Sequence, residues 1–219
     1  LQLYSSLIGK VEPSDQDLSF KKILSLAEDT YLSDHRINGV IYMPAAVSIA
    51  MFLCSSSLYF KGFPVLSNFN IKNPTLIGDK DAPLFTEGIK LKDNLSMKIK
   101  NKITYASCEA KLKSSKTKKR VKKFKKPASA ISNDSIYNKN MLFHGPSFQV
   151  IDKVFLDKKN IVAKVDNKKL VPLLDAGIYG KIIQWIDSAF QSLAYIGIKN
   201  GKGLSLPVSV YEIIPHFEN

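Results

Sequence analysis

The sequence has few of the residues that form disulfide frameworks and metal sites. It holds two cysteines, three histidines and one tryptophan in 219 residues. Cys54 and Cys108 have no CxxC spacing and lie in apolar or strand-like surroundings, so they are interpreted as reduced thiols of a cytoplasmic protein. His35, His144 and His216 are too few and too scattered for a metal motif. The sequence alone therefore predicts no metal site.

Long apolar runs are also missing. No run reaches the roughly 18–20 residues that cross a bilayer. The most apolar stretch, residues 40–53, is followed by three serines and has the length of a buried helix. The first residues show no basic segment followed by an apolar one, as a secretory signal would. We therefore expect neither a membrane span nor a secretory signal.

Positive charge is abundant, but most of it lies in one segment. The net charge is +13, and the segment 111–126 holds ten of the 32 basic residues and no acidic one. Without these ten the remaining charge is +3. A solvated linker, exposed and poorly ordered over residues 114–126, is the favoured interpretation. Docking of an acidic partner is an alternative, and nucleic-acid binding is a weaker one because Phe124 is the only aromatic residue there.

The lysine-rich segment separates two regions of similar pattern. Each has a helix that is apolar on most faces and several short strand-like runs, which predicts an α+β architecture of two units with the helix wrapped by a sheet. The predicted units are residues 1–113 and 137–219, joined by a basic linker, 114–136. The second unit has fewer predicted strands and looks truncated or incomplete.

The spacing of apolar residues along the sequence predicts the following helices and strands. The first helix runs from Ala45 to Tyr59 and the second from Ile182 to Ile198. Alternating apolar residues with Asn, Asp, Gly and Pro between them predict strands over 65–71, 84–91, 95–99, 104–112, 148–156, 160–165 and 206–214.

The segment 34–44, DHRINGVIYMP, places three useful groups together. The imidazole of His35 titrates near neutrality and can act as a base. Gly39 allows a ligand to approach the backbone, and Pro44 opens a helix whose first N–H groups can polarise a carbonyl. A surface histidine in a polar turn is the alternative.

Two further segments carry polar groups in apolar surroundings. The segment 143–149, FHGPSFQ, predicts a tight turn that leads into a buried strand. Asp187 and Gln191 are four residues apart, so they share one helix face and can hydrogen-bond. Burial beside Trp185 and Phe190 would raise the pKa of Asp187 and make it an acid; a helical aspartate bonded to solvent is the alternative.

Taken in order, these segments resemble the motifs of the dehydratase domains of polyketide and polyunsaturated-fatty-acid synthases. The matches are HxxxGxxxxP at 35–44, YGPxF with His144 in place of tyrosine, DxxxQ/H at 187–191, and an LPF-type motif with Val208 at its third position. The sequence around Asp175 also resembles the surroundings of the family's aspartate. Four residues after Asp175, however, the chain has Tyr179 where the motif has Gln or His, so Asp187 is preferred.

The resemblance implies a double hotdog fold, two hotdog units side by side as a pseudo-dimer. It implies dehydration of a β-hydroxyacyl thioester to the α,β-enoyl thioester. His35 would be the catalytic base and Asp187 the acid. Substrate-binding roles fall to five residues: Gly39, whose N–H would hold the thioester carbonyl, Pro44, His144, Gly145 and Gln191.

The resemblance also implies partners. An acyl carrier protein would deliver the substrate on its phosphopantetheine arm, so the domain needs no cofactor of its own. Other synthase domains and a second copy of the chain are further partners. The alternatives are a double hotdog that does not dehydrate (a double-bond isomerase, a cyclisation-guiding or an acyl-binding domain), a hotdog thioesterase, and an anion-binding module.

Overall fold

The computed structural model describes residues 6–78, 82–112, 130–137, 141–156, 161–175 and 177–215. The prediction that residues 114–126 are exposed and poorly ordered lies outside the described residues. Within them no helix is long and apolar enough to cross a membrane. Both cysteines are buried and neither forms a disulfide.

The described residues form three helices and thirteen strands. The helices are α1 (Ala45–Phe60), α2 (Asn133–Ile136) and α3 (Ile178–Lys199). The strands are β1 (Lys10–Val11), β2 (Leu18–Leu24), β3 (Arg36–Ile37), β4 (Val40–Tyr42), β5 (Pro64–Ile71), β6 (Leu76–Ile77), β7 (Ala82–Leu91), β8 (Asn94–Lys100), β9 (Thr104–Leu112), β10 (Ala130–Ser132), β11 (Ile151–Leu156), β12 (Ile161–Val165) and β13 (Ser209–Ile213).

Seven strands form one antiparallel sheet in the order β1-β2-β7-β8-β9-β5-β13. Two smaller antiparallel sheets have the orders β3-β4-β6 and β10-β11-β12. The last strand, β13, follows the second long helix but pairs with β5 of the first unit. The two units therefore share a sheet.

Helix α1 is the centre of the first unit. It packs against strands of the large sheet on one side and against α3 on the other. The unbroken run 46–56 is buried, which explains why the sequence is apolar on nearly every helical face. Lys61 caps the end of the helix: its φ of 54° is left-handed, and its N–H donates to the Ser57 carbonyl.

Several predicted boundaries in the second unit need correction. The predicted linker 114–136 is wrong over its last residues, because β10 pairs with β11 and Ile136 is fully buried. The predicted strand 148–156 begins only at Ile151, since residues 146–148 form a 3-10 turn opened by proline. Helix α3 begins at Ile178, four residues earlier than predicted, and includes Gly180 despite its low helix propensity.

Two hydrogen bonds join Asp34 of the first unit to the segment 145–147 of the second unit. The N–H of Gly145 donates to the carbonyl of Asp34 at 2.7 Å, and the N–H of Ser147 donates to Asp34 Oδ2 at 2.8 Å. A Cβ at position 145 would lie 2.3 Å from Asp34 Oδ1. Gly145 is therefore required for close approach of the two chain segments.

We predict that Gly145→Ala lowers the free energy of unfolding by about 1–3 kcal/mol, the usual cost of overpacking. The matched control is Gly78→Ala, because a Cβ at Gly78 meets nothing within 4 Å. Urea unfolding of both variants measures the difference. Equal stability of the two variants would contradict the close approach at Gly145.

Candidate active site

His35 is held at the start of a short hairpin. It follows the 3-10 turn Thr30–Asp34, and β3 and β4 then pair through a two-residue loop. Asn38 and Gly39 in that loop have φ of 50° and 82°, as an Asn-Gly hairpin turn of type I′ requires. The hairpin returns Tyr42 to His35, and His35 Nδ1 lies 2.9 Å from the Tyr42 carbonyl. Because a carbonyl only accepts, Nδ1 carries the proton and Nε2 holds a free lone pair.

His144 is brought to the same place by the second unit. It forms an isolated antiparallel bridge with His35, beside the Asp34–Gly145 hydrogen bond. The two imidazole centroids are 5.3 Å apart, and the His144 ring stacks on Phe143 at 4.0 Å. The pairing of two short segments, 109 positions apart in sequence, thus aligns both histidines.

Asp187 comes from the middle of α3, and Gln191 follows one turn later. Gln191 Nε2 donates to Asp187 Oδ2 at 2.6 Å and to the Phe148 carbonyl at 3.0 Å. Gln191 Oε1 accepts from the Tyr137 hydroxyl at 2.7 Å. The amide is therefore fixed on three sides and holds the carboxyl of Asp187 in one orientation.

These side chains form one buried cluster. His35, His144 and Asp187 each offer one ligand-type atom, and the three atoms lie within 4.8 Å of one another. His144 Nε2 is 3.6 Å from Asp187 Oδ2. The scatter of the histidines along the sequence is thus misleading, because the fold brings two of the three together with a carboxyl group. Asp187 lies in the middle of its helix, and His35 precedes a hairpin.

Burial sets the protonation of all three groups. It lowers the pKa of His35 to about 4, against the weaker opposing effect of the hydrogen bond to Tyr42. It lowers the pKa of His144 to about 3, with a smaller contribution from His35. It raises the pKa of Asp187 to about 7, and the Gln191 hydrogen bond opposes this. Both imidazoles are therefore neutral at pH 7, and the His144–Asp187 contact is not an ion pair.

A cavity of about 410 Å³ opens onto the cluster. His35, His144, Asp187 and Gln191 line it among mainly apolar residues that include Ile37, Met43, Ile71, Phe143, Phe190 and Val208. The resemblance left a choice between two aspartates, and only Asp187 lines this cavity. Asp175 lines a larger cavity, of about 820 Å³, whose lining includes neither His35 nor Asp187.

Three residues expected at the substrate do not line the cavity. Gly39 lies at the exposed tip of the hairpin, so its conformational freedom serves the turn. Gly145 packs on Asp34. Pro44 is buried as the residue that caps α1. The start of α1 itself does reach the cavity, through Ala45 and Ser48.

Tyr137 and Tyr42 also belong to the site, although no motif in the sequence indicates them. Tyr137 supports Gln191, and Tyr42 fixes the tautomer of His35 through its backbone. Burial also raises the pKa of Tyr137, so it stays a neutral hydroxyl. No spacing signal could identify either residue, because each acts through a contact made in the folded chain.

The comparisons with known proteins name the same family as the motif at 35–44. Residues 6–99 match the family described as polyketide synthase dehydratase domain. No curated protein matches the sequence. The resemblance of this chain to polyketide synthase dehydratase domains is thereby confirmed.

Solved structures extend the likeness to nearly the whole chain. The dehydratase domain of PpsC from Mycobacterium tuberculosis, in complex with C12:1-CoA, has a TM-score of 0.75 at 16% identity, covering 95% of this chain and 81% of that one. An inactive mutant of the CurJ dehydratase has a TM-score of 0.74 at 17% identity, covering 96% and 78%. The dehydratase domain of the CurF module of curacin polyketide synthase has 0.73 at 14%, covering 95% and 82%. The predicted double hotdog fold is confirmed.

We predict that Asp187→Asn stabilises the protein more at pH 8 than at pH 5. The raised pKa of Asp187 means that the folded chain keeps a proton that the unfolded chain loses above about pH 4, so the wild type loses stability as pH rises towards 7. Asparagine has no such proton and still accepts from Gln191. The difference in Tm between variant and wild type should grow by on the order of 5 °C from pH 5 to pH 8.

The matched control is Asp152→Asn. A hydrogen bond from Lys164 lowers the pKa of the half-buried Asp152, so this variant should lose a small amount of stability as its charge is removed. Differential scanning fluorimetry across pH measures both variants. A Tm difference for Asp187→Asn that stays constant with pH would show that the carboxyl is not held neutral.

Proposed function

We propose that this chain dehydrates a 3-hydroxyacyl thioester to the α,β-enoyl thioester. The observation that carries the proposal is the pairing of His35 with Asp187 on one mainly apolar cavity. Elimination of water needs a base for the proton on the α-carbon and an acid for the β-hydroxyl. A neutral imidazole and a buried carboxylic acid in one cavity supply both.

His35 is the base. Its Nδ1–H is held by the Tyr42 carbonyl, so the lone pair on Nε2 is free to take the α-proton. Burial keeps the imidazole unprotonated at neutral pH, with a pKa of about 4. The electrons of the broken C–H bond then form the double bond between the α- and β-carbons.

Asp187 is the acid. Hydroxide is a poor leaving group, so the carboxyl proton passes to the β-hydroxyl as the C–O bond breaks, and water leaves. With a pKa of about 7, a large fraction of Asp187 is protonated at neutral pH. Gln191 orients the carboxyl without exchanging a proton, and neutral His144 lies beside it against the acyl group.

The first turn of α1 holds the thioester carbonyl. Gly39 lies too far out on the hairpin for this role, whereas Ala45 and Ser48 line the cavity. The first N–H groups of a helix lack partners within it and are oriented along its dipole. They therefore stabilise the negative charge that develops on the carbonyl oxygen as the α-proton leaves.

The substrate is an acyl thioester carried on the phosphopantetheine arm of an acyl carrier protein within a synthase, so the domain uses no cofactor of its own. The complex of the PpsC dehydratase domain with C12:1-CoA supports an acyl thioester as the ligand class. The mainly apolar lining suits an acyl chain, and the net charge of +13 suits an acidic carrier protein.

The test is incubation with 3-hydroxyacyl thioesters of pantetheine, followed by mass spectrometry. We expect loss of one water and appearance of the enoyl absorbance. Release of the free acid would instead identify a thioesterase. A shift of the double bond in an added enoyl thioester, without dehydration, would identify an isomerase. An unchanged substrate in every case would refute catalysis by this chain.

We predict that His35→Ala and Asp187→Asn abolish dehydration, because each removes one of the two proton-transfer groups. Asp175→Asn is the matched control for the second variant, since Asp175 lies in the other cavity. It should keep most of the wild-type kcat. If Asp175→Asn is inactive and Asp187→Asn is active, then Asp175 is the acid and the assignment to Asp187 is wrong.

We predict that Tyr137→Phe lowers kcat by about 3–10-fold, the value of one hydrogen bond in the transition state. Without the Tyr137 hydroxyl, Gln191 loses a fixed partner and holds Asp187 less firmly. Since that amide lowers the pKa of Asp187, the alkaline limb of the pH–kcat profile should move to higher pH. Tyr195→Phe, which removes the hydroxyl of a buried tyrosine on α3, is the control and should leave the limb in place.

A further inference from the structure

The cluster at the cavity has the composition of a metal site as well as of an acid–base pair. Two histidines and one aspartate, all buried, each offer one ligand atom, and the three atoms lie within 4.8 Å of one another. Two imidazoles and a carboxylate are a ligand set used for divalent transition metals such as Zn²⁺ and Fe²⁺. The cavity leaves further coordination positions open to water.

The surroundings of two of the ligands resemble those of ligands in metalloproteins. Metal-binding histidines usually donate their second ring N–H to a carbonyl or carboxylate, which fixes the tautomer. His35 does this with the Tyr42 carbonyl and keeps Nε2 free. Ligating carboxylates are usually hydrogen-bonded in turn. Asp187 receives such a bond from Gln191.

His144 is the residue that completes the set. Its Nε2 is 3.6 Å from Asp187 Oδ2, close to the roughly 3.4 Å between donor atoms that share a tetrahedral metal with bonds of about 2.1 Å. Its Nδ1 is buried without a hydrogen-bond partner among the described residues. The dehydratase motif that this segment resembles has tyrosine at this position, so the third ligand is a departure of this chain.

We propose that His35, His144 and Asp187 bind one divalent transition-metal ion, with Zn²⁺ as the representative ligand. The three donor atoms, which lie within 4.8 Å of one another, would move closer together around the bound ion. The ion binds the lone pair of His35 and the carboxylate of Asp187, whose carboxyl proton passes to solvent. If those groups carry out dehydration as proposed above, metal binding switches that activity off reversibly.

The test is metal titration of the tag-free chain after chelator treatment and dialysis. We expect one Zn²⁺ per chain by calorimetry, and Co²⁺ should give visible absorption bands of a four- or five-coordinate site. His144→Tyr should weaken binding of both ions by at least ~100-fold, more than loss of an outer-shell partner costs. His216→Asn, which changes the only other histidine, should leave binding as in the wild type.

Fluorimetry without metal confirms that His144→Tyr is folded; if it is not, His144→Gln takes its place. Absence of binding to the wild type would overturn the proposal, as would equal binding by wild type and folded His144 variants.

Zn²⁺ should also stop turnover, and EDTA should restore it. Binding is measured without substrate, so a chain that binds metal but does not dehydrate would refute only the proposed function. A chain that dehydrates but binds no metal would refute only the metal site.

Discussion

The contact between Asp34 and the segment 145–147 holds the two halves of the site together. Asp34 accepts two backbone N–H bonds from that segment, and Gly145 leaves room for its carboxyl group. The bridge between His35 and His144 lies directly beside it. Because each histidine comes from a different unit, their relative position depends on this junction more than on either unit alone.

Burial gives the cluster its chemistry. In water an imidazole and a carboxyl group have pKa values that favour a partly protonated histidine and an ionised aspartate. Desolvation reverses this preference, lowering the pKa of His35 and raising that of Asp187. The long helix α3 makes this burial possible, since it packs against α1 and the 3-10 turn before β11, and Asp187 is buried on it. The neutral imidazoles also offer lone pairs to a metal ion, which Asp187 would bind as the carboxylate.

The sequence predicted most of the fold because its signals are local. The apolar run after Pro44 predicted α1 within one residue, and alternating residues predicted β9 over its observed span. The signals failed where long-range pairing decided the outcome. Strand β10 lies in a region predicted as linker, and β13 pairs with β5 of the other unit rather than with its own.

The sequence by itself determined the residue types of the site and the helical spacing of Asp187 and Gln191, because four residues make one helical turn. Only the tertiary structure decided that His144 meets His35 and Asp187, that Tyr137 supports Gln191, and that Gly39 and Gly145 serve the backbone. These relations join residues up to 152 positions apart, through strand pairing and helix packing. Such distances are set by the packing of the whole chain, and no local pattern in the sequence encodes them.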